Sequence, residues 1–205
     1  RLEEFASIVS HDLRNPLTVA TGRLAEVRET VDHDALADVD RALDRMDRLI
    51  GDLLSLARQG TRVETVEPVA IDELVTRCWA NVSTEPADVS VETDRTILAD
   101  ESRTAQVFEN LFRNSVEHGL TGTGTVSIRV GSLPDGFFLE DDGPGIPPDE
   151  REAVFETGYT STEEGTGFGL SIVKRVAEAH GWTVEVTDAE SGGTRFEFTG
   201  AEFDN

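Results

Sequence analysis

At 205 residues the chain has room for one or two domains. Its formal net charge of -23, from 41 acidic against 18 basic residues, excludes a protein that holds nucleic acid through a general basic surface. With 38% hydrophobic residues in regular periods, it is not a disordered acidic tail either. A folded chain this acidic repels itself at low ionic strength, and salt relieves that repulsion, so a cytoplasmic protein of a high-salt organism is expected. Lys174 is the single lysine; the other basic residues are arginines. Cys78 is the single cysteine, in DELVTRCWANV, so it forms no internal disulfide and is expected to be a small buried core residue. No apolar run is long enough to span a bilayer, no signal peptide is visible, and the chain opens at Arg1 already inside a helical pattern. It reads as a fragment whose upstream part has been removed, with no membrane contact of its own.

Residues 1–60 read as two helices. In the first, Leu2, Phe5, Val9, Leu13, Leu17, Ala20, Leu24 and Val27 recur every three or four residues. In the second, from about Asp34 to Arg58, Leu36, Val39, Leu43, Met46, Ile50, Leu53 and Ala57 do the same. That is the seam of packed helices. A turn near 31–33 joins them into an antiparallel hairpin, and His33 in it is expected to be solvated. Two helices alone bury little, so a homodimer completing a four-helix bundle is the economical solution.

The first helix contains SHDLRNPL. Pro16 has no N–H and clashes with the carbonyl four residues back, that of Asp12. His11 lies two residues from both Val9 and Leu13, roughly 200° round the wheel, so it faces away from the seam. Asn15, one turn on, shares its face.

Residues 61–68 read as a linker ending in proline, and 69–205 as a second domain. Its expected elements are a helix at 72–82, strands near 89–93 and 96–99, a helix at 102–118, and strands at 125–131 and 136–141. A Gly/Pro-rich loop (143–165), a helix at 167–179 and strands at 182–188 and 194–199 follow. Trp79 and Trp182 read as core aromatics, and His180, before Gly181, as a helix-end partner. The fold class is therefore a two-helix hairpin forming a dimeric four-helix bundle, then an α+β sandwich with three helices on one face of a mixed, mostly antiparallel sheet.

Three stretches of the second domain carry polar residues that packing does not ask for. In FENLFRNSVEHG, Asn110 and Asn114 share a helix face, where asparagine is a poor helix former. Their amide oxygens suit a hard cation such as magnesium that brings its own phosphates. His118 ends that helix, either capping it or reaching a ligand. In FFLEDDGPGIPPDE, an apolar strand ends in Asp141-Asp142-Gly143-Pro144-Gly145. A carboxylate there can accept from an exocyclic amine, and the glycines let backbone approach a flat ring; a plain turn is the competing reading. In EGTGFGLSIVKRV, Gly165, Gly167 and Gly169 precede a helix whose free N–H groups point at a phosphate.

In this order and spacing, the stretches resemble the sensor histidine kinases of two-component signalling over essentially the whole chain. SHDLRNP looks like the phosphoacceptor motif, NLFRN the asparagine motif, DDGPGIP and GTGFGL the two glycine motifs, and Phe155 the phenylalanine of the intervening lid. The resemblance implies a Bergerat-type ATP-binding domain using ATP and Mg2+, with His11 phosphorylated and a response-regulator receiver domain as partner. It implies that Asp12 assists His11, that Asn15 positions water for dephosphorylating the partner, and that Asn114 holds magnesium with Asn110 nearby. Asp141 would bind the adenine amine. Arg113, His118, Gly143, Gly145, Phe155, Gly165, Thr166, Gly167, Phe168, Gly169 and Leu170 would line the nucleotide. Together with the composition it points to a haloarchaeal member. The family often has lysine where Glu117 stands, and the lid TGYTSTEEGTG lacks its common basic residue. Phosphate charge would then be met by Arg113, backbone N–H groups or salt. An ATPase or serine kinase on the same nucleotide fold, or a nucleotide-binding scaffold, is the alternative.

Overall fold

The computed structural model describes residues 2–31, 33–58, 63, 65–82, 87–119, 124–160 and 165–204, without the side chains of 2–12 and 53–58. The chain divides into two compact units, Arg1–Gly60 with Thr160–Phe168, and Thr61–Tyr159 with Gly169–Asn205.

In the first unit, α1 (Leu2–Arg28) and α2 (Asp34–Arg58) pack as the expected hairpin. α1 continues through Pro16. Leu17, Leu24 and Leu43 form its buried centre, with Leu36 and Ile50 packed against them. These are seven-residue steps on each helix, so one layer of the seam closes inside the hairpin. The alternate layer stays open: Leu13, Val27, Val39 and Met46 are each between 43% and 48% exposed. Arg28 pairs with Asp40, and Arg14 lies 3.6 Å from Asp47, fixing which faces meet. His33 does more than face solvent. Its Nδ1 accepts the Ala35 N–H at 3.1 Å, satisfying one of the orphan donors that open α2.

The second unit begins with β1 (Glu67–Ala70), which pairs antiparallel with β3 (Thr96–Ala99) in a small two-stranded sheet. β1 overlaps the end of the expected linker. Proline is tolerated there because an edge strand has unpaired positions for a residue without an N–H. α3 (Ile71–Asn81), β2 (Ala87–Glu92), α4 (Glu101–Gly119), β4 (Val126–Leu133) and β5 (Gly136–Asp141) follow. Next come a 3₁₀ turn (Ala153–Phe155), α5 (Gly169–His180), β6 (Thr183–Asp188) and β7 (Thr194–Thr199). The main sheet has the order β2-β4-β5-β7-β6, parallel only between β2 and β4.

Strand alternation decides which side chains enter the core. Val126, Ile128 and Val130 of β4, Phe137 and Leu139 of β5, and Phe196 and Phe198 of β7 are all buried. Phe137 stacks on Phe198 at 4.7 Å and meets Phe108 of α4 at 5.5 Å. Trp182 is buried, and Trp79 is half-buried, edge-on to Phe112. Cys78 is buried as expected, and desolvation pushes its thiol up to about 12, so it is not a reactive thiolate.

The intervening residues point the other way. Glu140 is nonetheless buried, held by Arg129 Nε at 2.7 Å and Arg195 Nη1 at 2.9 Å. The Arg195 guanidinium lies 3.6 Å over the Phe138 ring, so long side chains roof this face without a further layer. Among the described residues, no helix is long and apolar enough to cross a membrane.

His180 ends α5. Its Nδ1–H donates to Val176 O at 2.8 Å, and its Nε2 accepts the Asp100 N–H at 3.0 Å, just before α4. Accepting the Asp100 N–H needs the neutral ring, and burial lowers its pKa below 6.5. The unfolded chain then binds more protons below that value, so this contribution is complete above about pH 6.5 and lost as pH falls. We predict that the melting-temperature advantage of wild type over His180→Gln shrinks between pH 7.5 and 5. An advantage that is constant over this range contradicts the linkage.

Candidate functional site

Asp141 is the last residue of β5, in phase with Phe137 and Leu139, so its side chain continues an inward apolar row. It is 4% exposed. A buried carboxylate has to be satisfied by donors, and three reach it. Oδ1 accepts the Gly143 N–H at 3.0 Å and the Thr194 N–H at 3.2 Å; Oδ2 accepts the Ser115 hydroxyl at 2.9 Å. Burial pushes its pKa up, aided by the Asp142 charge, while the three hydrogen bonds oppose the rise. Asp142, one residue on, points outward and accepts the Ser127 N–H at 2.8 Å. The two adjacent aspartates thus do different work because strand side chains alternate.

Two glycines make the close approach possible. A Cβ on Gly143 would lie 2.7 Å from Gly119 Cα, and one on Gly193 would lie 2.2 Å from Asp141 O. Gly193 also has φ +93°, and Gly145, with φ +79°, backs onto it. The Ser191–Thr194 turn therefore seats directly on the Asp141–Gly145 stretch.

α4 supplies the next wall. Asn110 is buried; its amide donates to Gln106 O at 2.9 Å, and its Oδ1 lies 3.4 Å from Arg113 Nη1. That same Oδ1 would be 3.3 Å from a Cβ on Gly169, the first residue of α5. The asparagine helix and the start of α5 thus meet at Asn110. Arg113, Asn114 and His118 are half-buried on α4, and Leu170 in the first turn of α5. Phe155 is buried, edge-on to Phe196 at 6.5 Å, with Lys174 Nζ 5.7 Å from its ring centre.

The remaining expected residues lie in the first unit. Gly165, Thr166, Gly167 and Phe168 group with the hairpin. Thr166 Oγ1 donates to Asp52 Oδ2 at 2.8 Å, and Arg45 Nη2 lies 3.4 Å from Gly165 O. Residues 161–164 of the expected lid lie outside the described residues. Asn15 is exposed on α1; the His11 and Asp12 side chains lie outside the described residues, their backbone within α1. Asn110, Arg113, Asp141, Gly143, Gly145 and Gly169 are thus brought together within one unit.

Sequence reasoning missed Ser115, Thr194 and Gly193. Ser115 left a trace, a hydroxyl on the helix stripe of Phe108, Leu111 and Phe112. Thr194 and Gly193 left none beyond an ordinary hairpin turn.

These residues fit an adenine nucleotide. The Asp141 carboxylate has about four lone-pair sites and three donors. The N-terminal turn of α5 presents backbone N–H groups beside Asn110. Residues 99–201 match the family model described as "Histidine kinase-, DNA gyrase B-, and HSP90-like ATPase". The chain belongs to this ATPase family. Residues 1–62 match the His Kinase A (phospho-acceptor) domain, so the pair forms a histidine kinase core. That pairing disfavours an ATPase, serine kinase or scaffold built on the nucleotide fold alone.

The chain is 33% identical to the methanogenesis regulatory histidine kinase FilI of Methanothrix harundinacea, over 97% of this chain and 24% of FilI. It is 30% identical to the histidine-protein kinase/phosphatase MprB of Mycobacterium ulcerans, over 94% of this chain and 42% of MprB. The chain thus spans less than half the length of these relatives. Full-length ShkA, solved in complex with AMPPNP, superposes with a TM-score of 0.71 at 27% identity, over 98% of this chain and 46% of ShkA.

Gly193→Ala places a side chain in left-handed backbone and against Asp141 O. It is expected to destabilise the protein by more than the roughly 1–2 kcal/mol of the backbone conformation alone. Thermal unfolding measures this, and an unchanged midpoint contradicts the packing described.

Proposed function

We propose that this chain is the catalytic core of a sensor histidine kinase that phosphorylates His11 from ATP and passes the phosphoryl group to an aspartate of a response-regulator receiver domain. One observation carries the reading: a phosphoacceptor-type hairpin precedes a buried, donor-held Asp141 on the same chain. We read residues 1–60 as the dimerisation and phosphotransfer hairpin, 61–68 as the linker and 69–205 as the ATP-binding domain.

Asp141 would accept the adenine amine, with Gly143 and Gly145 against the ring. Asn114 would hold magnesium, with Asn110 beside it; magnesium supplies charge neutralisation on the phosphates. Arg113, His118, Phe155 and the 165–170 segment would surround the nucleotide and exclude water, which competes as nucleophile. The unprotonated ring nitrogen of His11 forms the P–N bond as the bond from the γ-phosphorus to the bridging oxygen breaks, leaving ADP. The proton on the other ring nitrogen is held and then taken by Asp12, which also fixes the tautomer. Asn15 would orient water for receiver dephosphorylation, in keeping with the kinase/phosphatase name of the relative MprB.

The open seam layer supports the homodimer, since a second hairpin would cover Leu13, Val27, Val39 and Met46. The net charge supports a salt-requiring, haloarchaeal, cytoplasmic protein.

Radiolabelled ATP with magnesium in molar salt should give acid-labile, base-stable label that is absent in His11→Gln. Label surviving that substitution overturns the role of His11. Asn114→Asp should suppress labelling while dimerisation is retained. Separately, Met46→Glu buries a charge in the bundle and is expected to convert dimer to monomer by light scattering. A dimer unaffected by it places the interface elsewhere.

A further inference from the structure

Ser115 stands on the buried stripe of α4, 1% exposed, with Leu111 and Phe112 one turn before it and Phe108 two turns before. Alanine would fill that position. A serine inside a helix ordinarily faces solvent or donates to the carbonyl four residues back. Here its hydroxyl instead crosses to Asp141 Oδ2 at 2.9 Å, 26 residues away in sequence. The two backbone donors, Gly143 N–H and Thr194 N–H, both end on Oδ1. Ser115 is therefore the donor that orients Oδ2, the oxygen with a lone pair left over.

We propose that Ser115 determines purine specificity: by donating to Asp141 Oδ2 it holds that carboxyl as a charged acceptor, so the site takes a 6-amino purine nucleotide and refuses a 6-oxo purine. This rests on the reading of Asp141 as the base acceptor. An exocyclic amine donates into the fourth lone pair beside the Ser115 hydroxyl. A 6-oxo group presents lone pair to lone pair, and only a protonated carboxyl can donate to it. With Ser115 removed, Oδ2 loses its donor, the buried carboxyl reaches its neutral form more easily, and the 6-oxo purine is admitted. Sites built on one hydrogen-bond polarity discriminate strongly, because the wrong partner leaves buried groups unpaired.

The test is calorimetric binding of non-hydrolysable ATP and ITP analogues to the intact chain in molar salt with magnesium. Wild type is expected to prefer the ATP analogue. Ser115→Ala should bind it about tenfold more weakly and show a several-fold smaller preference for ATP over ITP, and Ser115→Thr, which keeps the hydroxyl, should restore the preference. Equal weakening of both analogues in Ser115→Ala, with the preference unchanged, makes Ser115 a packing residue and overturns the proposal. Asp141→Asn separates the two layers of inference. If it leaves ATP-analogue binding unchanged, Asp141 is not the base acceptor, and the reading beneath the proposal fails as well.

Discussion

A carboxylate that ends an apolar strand row has to be compensated where it stands, and Asp141 is compensated from three directions. One donor comes from its own turn, one from α4 and one from the start of β7. Each segment must hold its place for the buried carboxyl to keep its donors, so β5, α4 and the Ser191–Thr194 turn are tied together at one atom pair. The glycines follow from the same constraint. Gly143 and Gly193 bring backbone within reach of Asp141 because a side chain at either would collide first.

The rest of the second unit serves this point. The Phe108–Phe137–Phe198 cluster fixes α4 on β5 and β7, which sets the distance between Ser115 and Asp141. On the opposite face, the Arg129–Glu140–Arg195 ion pairs clamp β4, β5 and β7 in register one residue away. His180 ties the end of α5 to the start of α4, so the two helices that bear the asparagine and glycine motifs share an anchor. The hairpin solves a different problem. Its heptads bury one layer and leave the next open, which suits a surface that is completed by another copy.

Much of this was legible from spacing. The 3–4 periodicity of residues 2–57 marked both hairpin helices, and strand alternation marked Val126–Val130 and Phe196–Phe198. Local patterns suffice for elements whose side chains all face one neighbour. The expected linker runs two residues into β1, because pairing with β3 is a long-range event that four residues including Pro68 do not announce. His33 was read as merely solvated because its cap bond depends on the entry angle of α2.

By itself the sequence determined the two-part organisation and most helices and strands, which follow from periodicity, while Asn110, Asn114, Asp141 and Gly169 stood out through the family resemblance of their stretches. Only the tertiary structure decided which groups satisfy Asp141. Ser115 and Thr194 lie 26 and 53 residues from it, and nothing in either local stretch says that both end on the same carboxyl. That choice comes from packing α4 and β7 on either side of β5, which burial of the aromatic core enforces.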